Sequence, residues 1–108
     1  MKIKWSSTAR GDMCQVARYI TKKFGRRARE EFLQRIKDTE KLIGSQPNIG
    51  PIDPLYADRA LTYRSVVING LNKMVYRIDG DIIYIVDFWD TRREPVSVRP
   101  RRQSSKTC

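Results

Sequence analysis

The chain has 108 residues, 22 Lys and Arg against 12 Asp and Glu, a net charge of +10 and no histidine. That length suits one small domain with one core. The missing histidine excludes Ser-His and Cys-His nucleophilic sites and any His-ligated metal, and the basic excess predicts a polyanion or an acidic protein as partner.

Lys2 to Trp5 reads as a short strand, with Ile3 set between lysines. Ser6, Ser7 and Thr8 are N-cap candidates for a first helix reaching about Phe24. Its apolar positions Ala9, Met13, Val16, Ile20 and Phe24 recur in steps of three and four. Gly25 is placed to end it. A second helix follows from Arg26 to about Ile43, with Ala28, Phe32, Leu33, Ile36 and Ile43 as its stripe. So short a break makes an antiparallel helical hairpin, and its apolar stripes need a sheet to cover. Residues 44–60 hold Pro47, Pro51 and Pro54 and form an irregular connector.

Leu61 to Glu94 then reads as three strands, LTYRSVVI, LNKMVYRI and DIIYIVDFW, separated by Asn69-Gly70 and Asp79-Gly80. Both dipeptides tolerate the positive φ of a type I′ hairpin turn. Two-residue loops set Val66 opposite Lys73, Arg64 opposite Val75 and Arg77 opposite Ile82. One face then carries Arg64, Val66, Leu71, Lys73, Val75, Arg77, Tyr84, Val86 and Phe88. The other carries Tyr63, Val67, Met74, Tyr76, Ile78, Ile83, Ile85 and Trp89 and is assigned to the core. The expected fold is α+β, in the order β-α-α-β-β-β, a helical hairpin packed on a small, mainly antiparallel sheet. Residues 1–95 form the single domain and 96–108 a basic tail, disordered in isolation.

The mixed face is too apolar for a solvated surface and too basic for a core, so it is the candidate site. Arg64, Lys73 and Arg77 could hold phosphates and stabilise charge developing on one. They could equally pair with Asp87, Asp90 or Glu94, or face solvent. Tyr84, on the same face, could stack a base or pack. Arg92 and Arg93 could extend the basic surface, and most such pairs are simply solvated. No metal or other cofactor is expected. Cys14 and Cys108 make neither a disulfide framework nor a zinc site, which suits a reducing compartment. MKIKWSS lacks a signal peptide's apolar run and no stretch suits a membrane span, so a cytoplasmic protein is expected.

Trp5 and Ala9 as W-x3-A, the connector PNIGP and the run TYRSVVINGLNKMVYRIDGDIIYIVDFWDTRREP resemble the RelE/ParE superfamily of type II toxin-antitoxin toxins. The resemblance spans about residues 1–95. It implies a bacterial growth inhibitor neutralised by a small, usually acidic antitoxin that wraps the toxin. Val75, Val86 and Phe88 are the antitoxin-binding candidates. RelE-like members cut messenger RNA on the ribosome without a metal, whereas ParE-like members inhibit DNA gyrase. By position, Arg64 stands for a RelE-like strand-two lysine, Lys73 for a key arginine, and Arg92 or Arg93 for another. On that reading Arg64, Lys73, Arg92 and Arg93 are catalytic, with Lys73 orienting the 2′-hydroxyl, and Arg77 and Tyr84 bind RNA. Val66 replaces a second lysine, and the RelE-like C-terminal tyrosine has no counterpart. The two helices and PNIG lean toward ParE-like proteins. A relative that only binds its partner is the third reading.

Overall fold

The structure, a computed structural model, describes residues 1–56 and 60–91. Arg92, Arg93 and the tail therefore lie outside the described residues. The elements are β1 (Lys2–Trp5), α1 (Ser7–Phe24), α2 (Arg26–Ser45), a 3-10 turn at Pro54–Tyr56, β2 (Arg64–Ile68), β3 (Asn72–Asp79) and β4 (Ile82–Asp90). The helical hairpin packs on one face of a four-stranded sheet ordered β1-β4-β3-β2. β1 runs parallel to β4 and the other pairs are antiparallel. This is the α+β order expected from the chain.

Local chemistry accounts for the helix boundaries. Ser6 Oγ accepts the Ala9 N–H at 3.0 Å and caps α1. The same hydroxyl donates to Val86 O at 3.1 Å, fixing the start of α1 to β4. Gly25 alone separates the helices, at φ 97°, a conformation that disfavours a side chain. The core joins Ala9, Met13, Cys14 and Ala17 of α1 with Phe32, Ile36 and Ile43 of α2 and with Ile68, Met74, Tyr76, Ile83, Ile85 and Phe88 of the sheet. Ile3 and Trp5 pack at its margin. Trp5 Nε1 also donates to Glu40 at 2.6 Å, tying β1 to α2.

Two local irregularities change the sheet faces. Asn69 and Gly70 take positive φ (58° and 69°) and Leu71 N–H donates to Ile68 O, as a two-residue turn predicts. The strand ladder, however, starts with Ile68 opposite Asn72 and continues with Val66 opposite Met74 and Arg64 opposite Tyr76. Leu71 is the extra residue, and its carbonyl accepts from Thr91 N–H instead of joining the ladder. A one-residue slip moves every β2 side chain to the other face. Arg64 and Val66 therefore share the helix side with Tyr76 and Met74, while Tyr63 and Val67 turn outward, the reverse of the expected faces.

The second irregularity lies in β4. Tyr76 pairs with Ile85 but Val75 pairs with Asp87, so Val86 is a bulge. Phe88 is thereby sent into the core, against Trp5 and Phe32, and Trp89 is sent outward. Their expected positions are exchanged. At the other hairpin the paired residues are Asp79 and Ile82, so the loop is Gly80-Asp81. That shift preserves parity, and Arg77 still shares a face with Tyr84 as expected.

Candidate functional site

The outer face of the sheet is built in two halves. Over β2 and β3 it is roofed by the connector. Ser65 N–H donates to Pro51 O and Asp53 N–H to Tyr63 O, so residues 51–53 run along the free edge of β2. Asp53 then turns the chain, accepting the Leu55 N–H on Oδ1 at 2.9 Å. Tyr56 is brought over the sheet, 4.7 Å from Tyr63 and 6.5 Å from Trp89 between ring centres. Beneath these rings Val75 is fully buried, with Val86 and Leu55 packed at the edge. Tyr56 Oη donates to Asp87 Oδ2 at 2.9 Å, which satisfies a buried carboxylate.

Lys73 lies under this roof. Its Nζ is 3.0 Å from Asp53 Oδ2, with the side chains 12% and 0% exposed. It also sits 5.7 Å from the centre of the Trp89 ring. This is a buried ion pair beside an aromatic face, an arrangement that holds the connector to the sheet. Nothing in residues 44–60 marked Asp53 as the partner, since the contact exists only once the connector folds back over β3.

Arg64 belongs to the opposite side. Its Nη1 donates to Gly50 O at 2.8 Å and to Asn48 O at 3.4 Å. Across from it Tyr76 Oη donates to Pro47 O at 2.6 Å and accepts the Gly50 N–H at 3.2 Å. Burial raises the Tyr76 pKa above 10.0, against smaller lowering effects of the Gly50 hydrogen bond and the Arg64 charge. Arg64 and Tyr76 thus clamp the connector between Pro47 and Gly50. A Cβ on Gly50 would stand 2.6 Å from Ser65 O and 2.9 Å from Tyr76 Oη, so the close approach requires glycine.

The half over β1 and β4 is open. Arg77 lies with its guanidinium carbon 4.7 Å from the centre of the Tyr84 ring and its Nη1 3.6 Å from Asp79 Oδ2. Lys2 and Lys4 of β1 are exposed and stand in register with Ile82 and Tyr84. The expected single cluster of Arg64, Lys73 and Arg77 is therefore divided: one on the helix side, one under the connector, one on the open face. Of the expected antitoxin contacts, Phe88 is in the core and Val75 is covered, leaving Val86 half-buried at the rim. Among the described residues no group of three or more His, Cys, Asp or Glu could hold a metal ion. No described helix is long and apolar enough to cross a membrane.

Residues 3–95 match the family model of the ParE toxin of the type II toxin-antitoxin system parDE. The chain belongs to the ParE toxin family. No curated protein matches it. Among solved structures it is similar to a chain of the chromosomal ParDE toxin-antitoxin system from P. aeruginosa, at 19% identity and a TM-score of 0.66. That match covers 83% of this chain and 95% of the other. At this identity the likeness shows a shared ParE-type fold. A conserved hypothetical protein from Helicobacter pylori aligns at 15% identity over 85% of this chain and 96% of its own, with a TM-score of 0.41.

Proposed function

We propose that this ParE-family toxin acts by binding, as an inhibitor of DNA gyrase, and that a cognate acidic antitoxin neutralises it. The observation that carries this reading is the use to which Arg64 and Lys73 are put. RNA cleavage without a metal needs cations free to reach a scissile phosphate and a group to take the proton of the 2′-hydroxyl. Arg64 is turned to the helix side, where its Nη1 donates to Gly50 and Asn48 carbonyls, and Lys73 is paired with Asp53 beneath the connector. The chain also has no histidine, and arginine is a poor proton acceptor at neutral pH.

The open half of the sheet suits an acidic partner. Lys2, Lys4 and Arg77 are accessible there, beside Tyr84 and the half-buried Ile82 and Val86. A segment with carboxylates set between apolar residues would pair with the cations and cover the aliphatic groups.

Two assays on purified toxin test the reading. In a gyrase supercoiling assay the wild type should inhibit, and Arg64→Lys and Lys73→Met variants that stay folded should not lose inhibition through loss of a chemical step. On programmed ribosomes the wild type should leave messenger RNA intact. Cleavage of the message, abolished in Arg64→Ala, would replace this reading with the RelE-like endoribonuclease, whose catalytic set would be Arg64, Lys73, Arg92 and Arg93 with Arg77 and Tyr84 binding RNA.

A further inference from the structure

The turn joining the two helices, far along the chain from the sheet face described above, is the most concentrated charge in the sequence. Between Asp12 and Glu30 there is no acid, and six cations fall there: Arg18, Lys22, Lys23, Arg26, Arg27 and Arg29. Five of them crowd the turn itself, in KKFGRRAR. Lys22, Lys23, Arg26 and Arg27 are exposed, and none of these four or Arg29 engages an acid among the described residues. Two aromatic side chains stand out of the same end of the hairpin, Tyr19 at 58% and Phe24 at 67% exposure.

Fold stability does not explain this composition. The last turn of α1 is a favourable place for Lys22 and Lys23, but the first turn of α2 is an unfavourable one for arginine. α2 begins with Arg26, Arg27 and Arg29, has no acid in its first turn and receives no side-chain cap from Gly25. Phe24 lies on the expected apolar stripe of α1 yet packs on nothing that buries it. Unpaired cations beside exposed aromatic rings match a polyanion whose groove offers apolar contact, such as the thymine methyl, next to its phosphates.

We propose that the tip of the helical hairpin, Lys22 to Arg29 with Tyr19 and Phe24, is a docking surface for the phosphate backbone of duplex DNA. The cations bind phosphates on the two rims of a groove, releasing counterions. The major groove of B-form DNA, about 12 Å wide, admits one helix end while the neighbouring cations stay on the phosphates, whereas the deep, narrow groove of A-form RNA admits none. An anionic membrane is the less suitable occupant, because two separate rings give little apolar area to insert beside five charges. The surface involves none of the residues used for the gyrase reading and stands whether or not that reading holds.

Fluorescence anisotropy of a labelled duplex of about 20 base pairs, titrated with the full chain across a range of salt, tests it. The wild type should bind with log affinity falling linearly in log salt. The double variant Arg26→Glu/Arg27→Glu should weaken binding at least about tenfold and reduce the salt slope by about 0.9 for each phosphate no longer neutralised. Because acids suit the first turn of a helix, that variant should melt no lower than the wild type, which separates weakened docking from a damaged fold. Phe24→Ala should weaken binding and leave the salt slope unchanged. Lys2→Glu/Lys4→Glu, the same charge change on the sheet, should have a much smaller effect. Equal weakening by the two double variants would overturn the proposal, as would no binding by the wild type. Preference for an RNA duplex, or for phosphatidylglycerol vesicles over DNA, would also overturn it.

Discussion

Lys73, a candidate for phosphate chemistry in the sequence, is drawn into an ion pair with Asp53. Its ammonium and the Asp53 carboxylate are both withdrawn from solvent. Replacing Lys73 by Met leaves Asp53 charged and buried, and should cost about 3–5 kcal/mol of stability. Asp53→Asn in the same background should recover part of that loss, and urea unfolding of the four proteins of the cycle measures it. Gly50→Ala should cost about 1–3 kcal/mol, because its new Cβ meets the backbone of Ser65 and the hydroxyl of Tyr76, and neither can yield without loosening the connector. Tyr76 gives a pH signature. Its phenol titrates higher in the folded chain than the ordinary 10.0, chiefly through burial. The native state therefore holds this proton more tightly than the unfolded one. The resulting stabilisation is complete below pH 10.0 and is lost as pH rises from there through the raised folded value. In Tyr76→Phe the fall in urea midpoint above pH 10.0 should be shallower.

At the scale of elements, one extra residue at each of two places redirects whole strands. Leu71 slips β2 by one, and Val86 exchanges Phe88 with Trp89. The consequence for mutagenesis is direct. Phe88 packs on Trp5 and Phe32 at 0% exposure, so Phe88→Asp should abolish folding, as burial of an unpaired charge demands. A circular dichroism melt would show no cooperative transition. Val86→Asp, at the half-buried bulge, should leave the melt cooperative and weaken antitoxin binding. The helices were legible because their apolar steps and caps are local, as at Ser6 and Gly25. The hairpin turns were legible because Asn69-Gly70 and Gly80 need positive φ. Register was not, since the Leu71 carbonyl is claimed by Thr91, twenty residues away in sequence.

For the whole molecule, a net charge of +10 over so small a surface makes association with acidic partners steep in salt. Among the described residues the hairpin tip and the open half of the sheet are two exposed basic patches, and residues 92–108 carry six more cations against one acid. If the toxin binds gyrase and cuts nothing, toxicity should follow surface substitutions and not a chemical step. Rescue of growth by the antitoxin should be reduced for Lys2→Glu/Lys4→Glu/Arg77→Glu, while Arg64→Lys should remain toxic.

The superfamily was recognised by resemblance, whereas the α+β order and the helical hairpin followed from the chain's own patterning. These two depend on patterns within a few residues, where period, capping and turn chemistry act without knowledge of the fold. Which side of the sheet Arg64 occupies was decided only by tertiary structure. So was the fate of Lys73, because Asp53 reaches it from a connector with no periodic signal. A ladder register and a folded-back loop are long-range choices, settled by which carbonyls and carboxylates find partners once the whole sheet has formed.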